Sequence, residues 1–219
     1  MERWATFDCY GTLIDWNGGI GRELERLFGP GDAPRLLHRY HELEPVVERE
    51  EPIRPYRGVL NVTLARLAEG RTPLLPAEES DALARSLPRW SPFPEVRAAL
   101  ADARARGWKL AALSNTDRDF IEASLEQVGV PFELAIVASE IGSYKPARGH
   151  WDAFFERTGA DRAGHVHVGA SLFHDIAPAS ALGLRTVWVN RLGEEPGPEP
   201  DVELRTLEGL GPALDSLVA

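Results

Sequence analysis

The apolar positions of this chain follow two rhythms. Short apolar runs at 4–7, 110–113, 134–138, 166–168 and 186–189 read as buried strands. Between them lie stretches with helical spacing, at 20–29, 33–50, 56–70, 76–87, 94–107, 118–128, 149–158, 174–182 and 206–217. Asp15-Trp16-Asn17-Gly18-Gly19 reads as a turn-rich link, Pro73 and Pro76 separate two helices, and the Gly/Pro/Glu-rich stretch 193–200 reads as a loop. Within 33–50, at about 100° per residue, Leu36, Leu37, Tyr40, Leu43, Val46 and Val47 form one stripe, and Arg39 falls inside it. An arginine on such a face either lays its stem along apolar surface or turns its head into a pocket.

From residue 92 onward strands and helices alternate, whereas 16–90 reads as helices without a strand. Alternation of this kind predicts an α/β fold, a parallel sheet with helices on both faces. The helical block after the first strand then lies over one edge as a cap. The expected division is a core of 1–15 and 91–219 and a cap of 16–90. Ligands of such sheets bind beyond the carboxyl ends of the strands. Four polar clusters follow strands there: Asp8, Ser114-Asn115, Lys145, and Ser171 with Asp175. An isolated Asp-x-x-Gly is an ordinary turn. The convergence of four clusters makes Asp8 a candidate nucleophile, since a carboxylate can attack carbon or phosphorus and divide one hard step into two.

The composition narrows the partners. A net charge of -10 over 219 residues argues against nucleic acid. No apolar stretch approaches the roughly 20 residues of a membrane span, and the N-terminus enters a strand without a signal-like segment. The single cysteine, Cys9, excludes an internal disulfide and any multi-cysteine metal site, which fits a reducing cytoplasm. Lysine occurs only at Lys109 and Lys145, so a loop lysine at 145 stands out.

Phe7-Asp8-Cys9-Tyr10-Gly11-Thr12-Leu13, Leu113-Ser114-Asn115, Tyr144-Lys145-Pro146 and Gly169-Ala170-Ser171 through Asp175 together resemble the haloacid dehalogenase superfamily. The resemblance covers nearly the whole chain and implies a Rossmann-like core with an inserted helical cap. The segments 8–16 and 171–179 look most like the type II (S)-2-haloacid dehalogenase branch. In that reading Asp8 attacks C2 of a small carboxylic acid with inversion, and water then cleaves the ester at the Asp8 carbonyl. Lys145 keeps Asp8 ionised and Asp175 pairs with Lys145 and positions water. Ser114, Asn115 and Thr12, with Tyr10 nearby, hold the substrate carboxylate, and Arg39 receives the halide. Ser171, His174 and Trp151 are accessory positions. His165 and His167, alternating along a strand, read as structural.

The departures from the superfamily bear on the reaction. Its phosphatases protonate a poor alkoxide leaving group with an aspartate where this chain has Tyr10, whose ordinary pKa near 10 suits it poorly. They also hold magnesium with an aspartate where this chain has Ala170. Halide leaves as a stable anion and needs neither, so the resemblance implies no metal and no cofactor. Ala170, Leu172 and Trp151 also differ from the dehalogenases' usual serine, asparagine and tyrosine. Ring opening of a small cyclic amino acid such as azetidine-2-carboxylate, a magnesium-dependent phosphatase and a non-catalytic binding module stay open as alternatives. Polar cap residues beyond Arg39 favour the ring-opening variant. Relatives often pair, so a homodimer is expected from the resemblance alone.

Overall fold

The computed structural model describes all residues except 1, 51, 52, 72, 73, 196, 198, 199 and 219. Pro73 and part of the 193–200 loop thus lie outside the described residues. Among them, six strands form one parallel sheet: β1 (Arg3–Phe7), β2 (Trp108–Ser114), β3 (Leu134–Val137), β4 (His165–Gly169), β5 (Arg185–Val189) and β6 (Val202–Leu204), in the order β3-β2-β1-β4-β5-β6. The central strands are buried on both faces, which is why they read as continuous apolar runs. Strand order runs outward in opposite directions from the β1/β4 pair. That reversal opens a crevice at the carboxyl ends of β1 and β4.

Helices α1 (Trp16–Phe28), α2 (Ala33–Glu48), α3 (Tyr56–Ala68) and α4 (Ala82–Ser86) fall between β1 and β2, ahead of α5 (Val96–Ala105); α6 (Arg118–Val128) precedes β3 and the short α7 (Ala138–Ile141) follows it. The neck of this insertion is closed by two backbone bonds, Asp15 N–H to the Ser91 carbonyl at 2.9 Å and Phe93 N–H to the Leu13 carbonyl at 3.0 Å. Its buried side chains continue those of one sheet face. At the first turn of α3, both Asp117 oxygens accept backbone N–H groups, from Tyr56 at 2.8 Å and Arg57 at 3.0 Å. These satisfy donors that a helix start leaves open, and they tie the helical layer to the end of β2. The opposite sheet face carries α8 (Gly149–Thr158), with Trp151 and Phe154 packed on Trp4 and Ile136.

Several sequence expectations are corrected. The 15–19 link is the start of α1, with the Asp15 carboxylate accepting from Gly18 N–H at 2.9 Å. The helix expected at 76–87 is a 3₁₀ turn followed by the short α4, broken at Ser80 and Asp81, both weak helix formers. β6 was not expected: three residues after a Gly/Pro-rich run carry no periodicity, and only pairing with β5 makes them a strand. The segment 174–182 begins as a π turn, Leu172–Ile176, before α9 (Ala177–Ala181). The final helix, α10 (Leu210–Leu217), starts later than its apolar pattern suggested.

Candidate active site

Asp8 leaves β1 with its N–H still bonded to the Val168 carbonyl at 3.0 Å, so the strand ladder fixes its backbone. Gly11 then takes φ +90°, a conformation that side chains disfavour, and turns the chain under the carboxylate. Thr12 Oγ1 donates to Asp8 Oδ2 at 2.8 Å and accepts Ala170 N–H at 2.9 Å. Its one proton is thereby committed, and Thr12 is fully buried. Thr12 thus orients Asp8, and its hydroxyl has no second proton to offer a substrate carboxylate.

Lys145 Nζ lies 3.0 Å from Asp8 Oδ1 and 2.6 Å from Asp175 Oδ1, with its side chain 1% exposed. Burial disfavours charge on all three groups, and their mutual attraction sets the outcome. Burial pushes Asp8 up to about 6 against the pull of Lys145, leaving it ionised at neutral pH. Burial also opposes the charge on Asp175, but Lys145 and His167 outweigh it and hold that carboxyl below the usual range. The two carboxylates in turn outweigh desolvation of Lys145 and keep its ammonium charged. Gly169 permits this arrangement, because a Cβ there would stand 2.5 Å from the Asp175 side chain.

Asn115 Oδ1 accepts Lys145 N–H at 2.6 Å and its Nδ2 donates to the Lys145 carbonyl at 3.0 Å. This two-way clamp holds the lysine's loop, and Asn115 also lines the cavity. Ser114 lines the same cavity, and its Oγ is buried without a partner among the described residues. Ser171 Oγ accepts His174 N–H at 3.0 Å and lies 3.1 Å from its Nδ1. Burial lowers His174 to about 4, so a neutral imidazole faces the cavity at neutral pH.

Two expected site residues are placed elsewhere, and a third lines the cavity with its hydroxyl turned away. Arg39 lies on the outer face of α2, more than half exposed and paired with Glu42. The buried face of α2 runs through Leu36, Tyr40, Glu44, Val47 and Glu48, roughly a third of a turn away. Trp151 is buried beneath the sheet, edge-on to His167 at 5.1 Å, and does not reach the cavity. Tyr10 lines the cavity with its ring, but its hydroxyl is 3.0 Å from Ser124 Oγ on α6 (Arg118–Val128) and is turned away from Asp8.

The cavity measures about 440 Å³, room for a small acid and several waters at about 30 Å³ each. Its wall includes residues that sequence reasoning missed. Arg191, just past β5, donates to the Thr12 carbonyl at 2.8 Å, pairs with Glu95 at 2.7 Å and stacks 3.6 Å over Phe93. The only prior sign of it was an arginine two residues after a strand end. From the helical layer come Trp16, His41, Glu44, Glu48 and Tyr56. Below the site, Thr6 Oγ1 lies 2.9 Å from both His165 Nε2 and His167 Nδ1, and His167 Nε2 is 3.5 Å from Asp175 Oδ1. His167 therefore also supports a site residue.

Magnesium, which the phosphatases of the resembled superfamily use, meets a poor donor set here. Ala170 offers a methyl group, and the ammonium of Lys145 already occupies the space between Asp8 and Asp175, bonded to one oxygen of each. Divalent cations of this kind need several hard oxygen ligands.

A parallel α/β core with an aspartate, a lysine and a second aspartate joined at its strand ends defines a hydrolase-type site. The chain belongs to the haloacid dehalogenase-like hydrolase family, whose model matches residues 3–183. It is 30% identical over 215 residues to the (S)-2-haloacid dehalogenase of Pseudomonas sp. (strain YL), covering 93% of this chain and 90% of that one. It is 29% identical over 214 residues to haloacetate dehalogenase H-2 of Moraxella sp. (strain B), covering 93% and 94%. In fold it resembles the L-2-haloacid dehalogenase of Xanthobacter autotrophicus with chloropropionic acid covalently bound. That match has a TM-score of 0.84 at 19% identity, over 98% of this chain and 99% of that one.

Proposed function

We propose that this protein is a hydrolase acting on carbon–halogen bonds of small 2-haloacids, through an ester on Asp8. The observation that carries this reading is a single ionised carboxylate, Asp8, 13% exposed to the cavity and held by Lys145 and Thr12. Relatives that match over nine-tenths of the chain and are named as dehalogenases support it. Asp8 Oδ attacks C2 in line and halide departs with the bonding pair. Water, oriented by the neutral His174 with Ser171 and by Asp175, then adds to the Asp8 carbonyl carbon and releases the 2-hydroxy acid. Ser114 anchors the substrate carboxylate, while Asn115 holds the loop that carries Lys145. Tyr10 supplies no proton for an alkoxide leaving group, because burial raises its hydroxyl well above its ordinary pKa, so phosphomonoester cleavage is disfavoured.

Residues 16–90 act as the cap domain over a core of 1–15 and 91–219. No metal or cofactor takes part. Among the described residues no helix is long and apolar enough to cross a membrane. A cytoplasmic homodimer is part of this reading, and light scattering of the purified protein tests the dimer. The function is tested by halide release from racemic 2-chloropropionate and chloroacetate in EDTA. Wild type is expected to release chloride with one enantiomer consumed and Asp8→Asn to release none. Absence of release by the wild type contradicts the assignment.

A further inference from the structure

The cap wall of the cavity carries an acid where the family resemblance led us to expect a cation. Arg39 points to solvent, and Glu44, five residues further along α2, takes the inward position. Glu44 is 7% exposed and lines the same cavity as Asp8. Tyr56 donates its hydroxyl proton to Glu44 Oε1 at 2.7 Å, and the Tyr40 hydroxyl approaches the same oxygen at 3.5 Å. Trp16 Nε1 donates to the Tyr56 hydroxyl at 3.2 Å, which fixes the direction of that donor. Glu44 Oε2 has no partner, and no Lys, Arg or His nitrogen lies within 4 Å of the carboxyl among the described residues. A buried carboxyl without a cation is stable as the neutral acid.

We propose that Glu44 is the proton donor to the atom displaced from C2, so that this cavity expels leaving groups that depart as bases, such as fluoride or an amine nitrogen. The proposal rests on the Asp8 ester reading. In-line attack drives the departing atom away from Asp8 and toward the cap wall, where a neutral acid can meet it. An ionised carboxylate there would repel any departing anion. As Asp8 Oδ bonds to C2 the C2–X bond breaks, and X takes the bonding pair and the Glu44 proton. Water then adds to Asp8 Cγ. One of its protons goes to the 2-hydroxyl oxygen, and the other returns to Glu44. The sum is R–X plus water giving R–OH plus HX, and a ring nitrogen remains attached as an amine. Chloride and bromide are too weakly basic to need this proton, whereas hydrogen fluoride is a weak acid.

The surroundings agree with a proton held near neutral pH. Burial pushes Glu44 up to about 7, with the Tyr56 and Tyr40 hydroxyls pulling it back and the charge on Asp8 adding to the rise. The titratable and charged groups sharing its cavity are His41 and Glu48 on α2, Tyr56 on α3, Asp15 at the start of α1, Asp8 and Tyr10 after β1, Lys145, His174 and Asp175 of the π turn, and Arg191 and Glu194 past β5, with Arg191 paired to Glu95. Tyr40, behind Glu44, completes the set. Glu48 is itself pushed well up, by burial and then by Glu44, and adds no cation.

The test compares release from 2-bromo-, 2-chloro- and 2-fluoropropionate by wild type, Glu44→Gln and Tyr56→Phe. Azetidine-2-carboxylate is added to separate a nitrogen leaving group from fluoride. Glu44→Gln keeps an acceptor for Tyr56 and is expected to lose about 100-fold or more on the basic leaving group, but less than about tenfold on bromide. Wild-type fluoride release or ring opening is expected to fall above about pH 7 while bromide release does not. Tyr56→Phe removes a hydrogen bond that favours ionised Glu44, so it moves that alkaline limb to higher pH. Equal losses by Glu44→Gln on all leaving groups overturn the proposal. So does a wild type that expels bromide and chloride but neither fluoride nor nitrogen. A wild type inert on every substrate overturns the Asp8 ester reading, and the proposal with it.

Discussion

The two walls of the cavity are built on opposite electrostatic plans. At the strand ends, two carboxylates share one ammonium, and Thr12 and Asn115 bind the remaining backbone and side-chain groups. On the helical layer inserted after β1, Glu44 and Glu48 face the same space with tyrosine hydroxyls around Glu44 and an imidazole 3.8 Å from Glu48. The first wall keeps its carboxylates charged, and the second keeps its carboxyls neutral. The difference follows from the partner, because burial acts on both.

The largest effect is expected where one charge balances two. Lys145→Met leaves Asp8 and Asp175 buried without their cation, a loss of about 3–5 kcal/mol in urea unfolding at pH 7. The deficit is expected to shrink as the pH is lowered toward 5, because protonation removes the stranded charges. A pH-independent deficit would mean that the lysine stem, not its charge, is what matters.

The cap wall is expected to show the opposite dependence on pH. Glu44 has its carboxyl raised from 4.5 to about 7 in the folded chain. Between those values the unfolded state has lost the proton and the folded state retains it. Its contribution is therefore complete below about pH 4.5 and is lost as pH rises through about 7, in all about 3 kcal/mol. Unfolding curves of wild type and Glu44→Gln across pH 4.5–7.5 isolate this contribution. If the two curves run parallel, Glu44 is ionised in the folded protein.

The strand-end wall was legible because Asp8, Ser114-Asn115 and Ser171 lie at or directly after strand ends and Lys145 lies in the connection that follows β3, and topology alone brings strand ends together. The sheet's minor edge was not, since Val202–Leu204 is too short to show a period. Helix α2 was misread for a physical reason. Counting Leu43 and Val46 as inward turned the stripe toward Arg39, whereas Glu44 and Glu48 occupy the inward face and Val46 is 44% exposed. A hydrophobic stripe locates the core face only when that face is apolar, and here it borders a polar cavity. Trp151 failed differently. The family resemblance implied a place in the site, but α8 turns it under the sheet against His167.

Smaller effects sharpen the contrast. Thr12→Val removes the donor to Asp8 and leaves Ala170 N–H without its acceptor. It is expected to cost about 1–3 kcal/mol of stability, measured by thermal unfolding, and to lower kcat more than it raises KM. Arg39→Ala is expected to do least, within about 0.5 kcal/mol and threefold in halide release, because an exposed i,i+3 ion pair contributes little. A large loss of turnover in Arg39→Ala would place a cation on the cap wall and erase the contrast.

The most direct measurement follows the oxygen in a single turnover, with enzyme in excess over 2-chloropropionate in ¹⁸O-labelled water. The account predicts that the 2-hydroxyl of the product is unlabelled and that ¹⁸O is found in the peptide containing Asp8, by mass spectrometry. Label in the product hydroxyl, with none on Asp8, would show that water attacks C2 directly and would contradict the ester mechanism.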